Sequence, residues 1–513
     1  MSFGFRTRHR NRHDFTRHSK IEKKPGFRQP LHQVCAAFFN LTPKPGGFRQ
    51  TFNALREFYR HQEIGGIKVH NGGCFETRQV TFVTVGEGVV KVLVVGNGGR
   101  EHAIATSLLQ SPSVQEVVCV PGNGGTATLP RCRNLGLSIK DFEGIARFAL
   151  VNNFSLIAVG PEVPLANGIT DYLQEQGLLV FGPTRTGAQI EASKAWAKDL
   201  MKAAGIPTAD SSVFSDATAA IAHVRKQGAP IVVKADGLAA GKGVTVAMTE
   251  AEAIAAIEAA FGGEFGEAGS RVVLEEYLTG QEASVLAVTD GLTIRPLLPA
   301  QDHKRIGEGD TGENTGGMGA YAPAPVVTPE LMTRIQTEIL EPAIATLRDR
   351  GIDYRGILYA GLMITPQGDP KVIEFNCRFG DPETQVVLPL LETPLDQLML
   401  ACTQQTLADF PPLQWKPGAA ACVVVAATGY PGSYEKGKPI SGLAQAADTG
   451  AMVFHAGTRL IGDTVLTDGG RVLGVTALGK TVREAIALAY EAVDHIQFEG
   501  AYYRRDIGHR VLD

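Results

Sequence analysis

From residue 91 onward, short runs of branched apolar residues alternate with longer segments in which apolar positions return every three or four residues. Runs at 92–95, 116–120, 156–159 and 179–181 are apolar without an in–out alternation, the pattern of strands buried on both faces. Segments 101–110, 141–152 and 169–176 between them read as helices. This succession predicts a parallel sheet with crossover helices, a Rossmann-like N-terminal domain over about 91–193. A helix over 186–204 follows, ended by Gly205 and the Ile206-Pro207 step. Runs at 231–234, 244–247, 271–276, 357–364 and 371–375, with a helical stretch near 251–260, predict a second α/β region. A Pro-rich passage at 410–417 marks a linker to a small last domain, with strands at 422–426 and 472–478 and a helix at 482–493.

Residues 1–90 break this pattern. They hold 15 Lys+Arg against 6 Asp+Glu, a balance of +9, with 6 of the 12 His and 11 of the 23 Phe and no sustained period. Three readings fit this basic extension: a disordered stretch or a misplaced start, with Val90 the first residue if its codon is GTG; an Arg-rich, acid-poor targeting peptide for organelle import; or a nucleic-acid arm in which aromatic and basic residues interleave. The remainder carries 34 Lys+Arg against 47 Asp+Glu, or −13, which argues against nucleic acid as its partner. No apolar run approaches a membrane span. Seven cysteines without a CxxC pair suit a reducing cytoplasm and speak against a cysteine-rich zinc site. At about 150 residues per domain, 513 residues make three or four domains.

Several segments carry candidate chemistry. Gly96-Asn97-Gly98-Gly99-Arg100-Glu101-His102 joins a buried strand to a helix, where glycines admit close approach and the helix N-terminus favours a phosphate. A dinucleotide site would need a third glycine where Glu101 stands and an acid after the next strand, which instead ends Val120-Pro121-Gly122. In Lys234-Ala235-Asp236-Gly237-Leu238-Ala239-Ala240-Gly241-Lys242-Gly243-Val244, small residues between two strands allow backbone N–H groups to close over phosphates that Lys234 and Lys242 neutralise. The segment does not match the GxxxxGK[ST] loop. Glu275, Glu276, Tyr277 and Leu278, with Glu282 beyond, end a strand in a manner open either to adenosine recognition or to ordinary strand-end chemistry. Further on, strand alternation places Glu374 and Asn376 on one face with Phe375 toward the core, two oxygen donors that suit Mg²⁺. Arg378 follows, placed to steady an anionic transition state. The polar, glycine-rich stretches 301–305 and 314–321 read as a ligand-covering connection, with His303 a solvated loop residue without a catalytic role.

Taken in order, VLVVGNGGREHA, VGPE, FGPT, KADGLAAGKGV, QDHKR (preceded by Ala300 rather than the family's Ser), NTGGMGAY, VIEFNCRFGDPETQ, GGRVLGVTALG and RRDIG resemble the phosphoribosylamine–glycine ligases over about residues 91–507. The resemblance implies α/β architecture throughout: the Rossmann-like domain, an ATP-grasp core of two α/β subdomains over 194–409 with a mobile part near 208–282, and a small C-terminal α/β domain over 410–513. It implies a carbon–nitrogen ligase that converts ATP to ADP with Mg²⁺ or Mn²⁺ and joins glycine to 5-phosphoribosylamine in purine synthesis. By the same resemblance Lys194, Lys234, Gly237, Gly241, Lys242, Gly243 and Val244 grip the nucleotide phosphates, Glu275, Glu276, Tyr277 and Leu278 hold adenine, and Glu282 meets the ribose. Glu374 and Asn376 are the implied metal ligands. The phosphoribosyl group is expected at Gly98, Gly99, Arg100, Glu101 and Asn123, glycine at Asp302, Lys304, Arg305 and Arg378, and Arg378 has the catalytic role. A monomeric cytoplasmic enzyme without nucleic-acid or membrane partners is the expectation. Another ATP-grasp ligase or carboxylase is the nearest alternative; a dinucleotide-binding oxidoreductase is a more distant one.

Overall fold

The computed structural model describes residues 89–238 and 243–512. The basic extension of residues 1–90, apart from its last two, lies outside the described residues, as do Gly241 and Lys242.

Strand β1 (Val90–Gly96) is buried at nearly every position, which suits the centre of a sheet covered on both faces. It pairs in parallel with β2 (Val114–Pro121) on one side and β4 (Leu156–Val159) on the other. With β3 (Cys132–Asn134) and β5 (Val180–Phe181) the order is β3-β2-β1-β4-β5. The order reverses between β1 and β4, so a crevice opens at the carboxyl ends of those strands, where the glycine turn leads into the helix Gly99–Gln110.

The next sheet is antiparallel, with β6 (Ser211–Phe214), β7 (Ile231–Ala235), β8 (Val244–Ala247) and β9 (Val272–Glu276) in the order β6-β9-β7-β8. The helices Ala217–Gln227 and Glu250–Phe261 cover it, and Val224, Val233, Ile257 and Leu274 belong to a core of its own. After β10 (Gln281–Thr289) and β11 (Ile294–Pro296) come four short strands, β12 (Gln301–Asp302), β13 (Arg305–Gly307), β14 (Thr311–Asn314) and β15 (Gly319–Ala322), and then β16 (Gly356–Ile364) and β17 (Pro370–Asn376). The sheet β11-β10-β16-β17 shares one continuous core with the N-terminal sheet, for Leu93, Val159, Leu200, Val285, Leu358 and Phe375 lie in a single buried cluster. The sheet of residues 211–276 thus has an apolar interior separate from that continuous core, as does the C-terminal region around Val423, Val475 and Val493.

The C-terminal region adds β18 (Ala419–Ala427), β19 (Met452–His455), β20 (Thr458–Ile461), β21 (Thr464–Thr467), β22 (Arg471–Gly479) and β23 (Ala501–Tyr502). Its main sheet runs β12-β15-β18-β22-β19, with β23 beside β18 and the helix Val482–Val493 packed on β18 and β22. Two of these strands come from the stretch read from sequence as a polar connection. Small side chains explain their fit: Gly319 and Ala320 lie opposite Val423 and Cys422, and a Cβ on Gly319 would come 2.7 Å from the Cys422 carbonyl oxygen. The helix expected over 186–204 is likewise two helices, Gln189–Ala192 and Lys194–Ala204. Ser193 leaves helical geometry at φ −137° and its hydroxyl accepts a hydrogen bond from the Trp196 N–H at 3.1 Å, starting the second helix afresh. No described helix is long and apolar enough to cross a membrane.

Candidate active site

A cavity of about 1330 Å³ gathers side chains from three of the four large sheets, together with Arg100, Pro161 and Glu162 from the segments that follow β1 and β4. One end is built on β7, β9 and the start of the helix Lys194–Ala204. Lys194, at the first turn, donates to the Gly237 carbonyl at 2.9 Å, while the Ser193 hydroxyl donates to the neighbouring Asp236 carboxylate at 3.0 Å. Burial lowers the Lys194 pKa, against the opposing pull of Glu374. Lys234 donates to the Glu275 carboxylate and to the Ile373 carbonyl, each at 3.0 Å. Gly237, Gly243 and Val244 line the cavity, as do Glu275, Glu276, Tyr277, Leu278 and Glu282.

At the end of β17, Glu374 and Asn376 both face this space, with Phe375 packed into the core between them. Burial alone would push the Glu374 carboxyl up, but the ammonium groups of Lys304, Lys234 and Lys194, with help from Asn376, outweigh it and hold the pKa below the ordinary value. A carboxylate kept ionised among lysines, with a neutral amide oxygen beside it, forms a hard donor pair that fits a small divalent cation.

Arg378 lies just beyond. Its Nη2 donates to Glu191 at 2.8 Å, its Nη1 to the Phe379 carbonyl at 3.1 Å, and its Nε stands 3.3 Å from Glu162. Burial works against the guanidinium charge, yet Glu191 and Glu162 more than offset it and raise its pKa.

Opposite, Asp302, Lys304 and Arg305 line the wall that leads into the β13–β14 hairpin. Lys304 pairs with Glu282 at 3.1 Å, and burial pushes the Asp302 carboxyl up to about 7 despite Lys304 close by. Glu383, buried nearby, accepts from the Tyr359 hydroxyl at 2.7 Å. His303 corrects a sequence expectation: it is fully buried rather than solvated, and its Nε2 accepts from the Gly508 N–H at 2.9 Å. The C-terminal RRDIG segment folds back here, so the loop histidine becomes a joint between distant parts of the chain.

The phosphoribosyl set divides. Of Gly98, Gly99, Arg100, Glu101 and Asn123, Arg100 alone lines the cavity. The Glu101 carboxylate turns back to accept from the Gly98 N–H and from Arg100 Nε, capping its own helix. Asn123 is consumed by internal bonds: its Nδ2 donates to the His455 carbonyl at 2.7 Å and its Oδ1 accepts from the Gly125 and Thr126 N–H groups. Nothing in sequence singled out Lys198, Glu191 or Arg471, which also line the cavity. Lys198 follows Lys194 by one helical turn, a spacing that puts both on one face. Arg471 lies within the recognised GGRVLG stretch; its Nη1 donates to the Gly316 and Asp381 carbonyls.

Comparison with known proteins gives a consistent result. Family models described as phosphoribosylglycinamide synthetase N domain, ATP-grasp (A) domain and C domain match residues 90–191, 192–384 and 420–510. A phosphoribosylamine–glycine ligase of Nostoc sp. is 69% identical over 423 residues, 82% of this chain and 100% of the relative. One of Synechocystis sp. is 57% identical over the same shares. The crystal structure of a phosphoribosylamine–glycine ligase from Thermotoga maritima superposes with a TM-score of 0.69 at 34% identity, over 81% of this chain and 100% of that one. The biotin carboxylase domain of a Hydrogenobacter thermophilus 2-oxoglutarate carboxylase, solved with MgADP and bicarbonate, shares the fold with a TM-score of 0.62 at 18% identity, over 80% of this chain and 91% of that one.

Proposed function

This chain belongs to the phosphoribosylglycinamide synthetase family and uses ATP to ligate glycine to 5-phosphoribosylamine in purine biosynthesis, and we propose that the ligation runs through a glycyl phosphate formed between the Lys194–Lys234 pair and Arg378. The observation that carries this reading is a single cavity that joins those lysines to Glu374, Asn376 and Arg378.

A carboxylate is a poor acyl donor. In the proposed first step a glycine carboxylate oxygen attacks the γ-phosphorus of ATP in line, the bond to the β-phosphate oxygen breaks, and ADP leaves. Lys194 and Lys234 bind the phosphate oxygens, joined by Lys242 and the backbone from Gly237 through Gly241 and Gly243 to Val244. Adenine rests at Glu275, Glu276, Tyr277 and Leu278, with Glu282 toward the ribose. Glu374 and Asn376 would hold Mg²⁺ or Mn²⁺, which when bound neutralises charge on the phosphates. In the second step the amine of phosphoribosylamine attacks the acyl carbon, the bond to phosphate breaks, and the amine gives up a proton. Arg378 faces the developing oxyanion and stabilises it. Asp302, Lys304 and Arg305 bracket the glycine. Arg100 faces the phosphoribosyl group, with Gly98, Gly99, Glu101 and Asn123 shaping the turn behind it. The separate core of residues 211–276 supports a closing motion of that sheet over the nucleotide, which would exclude water from a hydrolysable acyl phosphate. The enzyme works as a cytoplasmic monomer on these small molecules.

A coupled ADP-release assay tests this, with glycine or bicarbonate as acceptor and phosphoribosylamine present or withheld. ADP release that requires glycine is expected; turnover that is independent of glycine would overturn the reading.

A further inference from the structure

Arg378 has a long, rotatable side chain, and a guanidinium that must meet a developing oxyanion gains from being fixed before the reaction begins. What fixes it comes from a distant part of the chain. Glu191 Oε1 accepts from Arg378 Nη2 at 2.8 Å, and Glu191 Oε2 accepts from the Cys377 N–H, also at 2.8 Å. One carboxylate therefore holds both the side chain of Arg378 and the backbone that carries it. Glu162 stands 3.3 Å from Arg378 Nε, but no hydrogen bond closes there. Glu191 is thus the side-chain acceptor that orients the guanidinium plane. It sits in the helix Gln189–Ala192, three residues before Lys194, so one short segment sets the direction of both the arginine and a phosphate-binding lysine.

We infer that Glu191 is a positioning residue for the ligation: it holds Arg378 with its remaining N–H groups aimed into the cavity. This inference rests on the role given above to Arg378. With one oxygen on each donor, Glu191 leaves one N–H on Nη1 and one on Nη2 free for ligand, after those given to the Phe379 carbonyl and to Glu191 itself. Loss of the carboxylate would let the arginine rotate without removing it. The effect belongs to kcat, because nucleotide binding is made elsewhere in the cavity.

The test uses Glu191→Gln, which keeps an acceptor for the Cys377 N–H, alongside Arg378→Ala and the double variant. Glu191→Gln should lower kcat roughly 10–100-fold with KM for ATP nearly unchanged, and Glu191→Asp should recover part of the loss. A second readout separates positioning from bulk structure. Sub-denaturing guanidinium should partly restore Arg378→Ala, since Glu191 still offers a docking carboxylate, and should restore the double variant far less. Equal rescue of both, or wild-type kcat in Glu191→Gln beside an inactive Arg378→Ala, overturns the positioning role alone. Wild-type kcat in Arg378→Ala would instead sink the role of Arg378.

Discussion

Lys234 and Glu275 meet at 3.0 Å across the neighbouring antiparallel strands β7 and β9, both side chains almost wholly buried. A second ammonium, from Lys198, reaches the same Glu275 oxygen at 3.1 Å. One carboxylate thus stands between two buried cations at the wall of the cavity. Glu275→Ala removes the carboxylate in direct contact with both and should destabilise the protein by about 3–5 kcal/mol in urea unfolding. The double variant Glu275→Ala/Lys198→Met should recover part of that loss, because one of the stranded charges goes with it. Simple additivity of the two single changes would contradict the shared-anion arrangement.

Glu374→Ala removes one of the two oxygen donors at the end of β17 and exposes the lysines to one another. ADP formation should fall by at least ~10²-fold, and raising the Mg²⁺ concentration should not restore it. Near-normal turnover of that variant would refute the metal assignment.

Much of this site could be read from sequence because its parts sit where buried strands end. The apolar runs of β1, β7 and β17 announce themselves, and Arg100, Lys234 and Glu374 follow from where those runs stop. Residues whose partners lie far along the chain were invisible. Glu191 gains its meaning from Arg378 and Lys198 from Glu275, contacts that no local pattern encodes. The same holds for β15, whose Gly-Ala-Tyr-Ala becomes a strand only because β18 offers a row of small residues opposite. Ser193, by contrast, carried a readable signal as an N-cap before Lys194, yet the apolar pattern on both sides hid the break.

Asp302 provides a pH test. Burial raises its carboxyl to about 7, with Lys304 and Arg510 pulling it down and Glu383 and Glu282 pushing it up. A carboxyl that holds its proton more tightly folded than unfolded binds more protons in the native state across that window. Stability therefore falls as pH rises from the ordinary aspartate range to about 7, then levels. Asp302→Asn should abolish this slope and be more resistant to urea than the parent at neutral pH, with the difference vanishing in acid. Parallel stability profiles for the two proteins would contradict the assignment.

Gly160 abuts Glu101 so closely that a Cβ there would overlap its carboxylate, and Gly96 meets the same side chain. Gly160→Ala should cost about 1–3 kcal/mol through overpacking, seen as a lowered urea midpoint. Adding Glu101→Ala should restore part of it. A neutral Gly160→Ala would mean that the carboxylate is free to move aside.

Glu101 is held by the Gly98 N–H and Arg100 and hemmed in by Gly96 and Gly160, so two motifs far apart in the chain behave as one inherited character. A lineage can exchange Gly160 for a larger residue without overlap only after position 101 has been shortened, whereas Gly96, at φ +131°, favours glycine whatever stands at 101. The order in which such changes are open to the gene is thereby written into the turn.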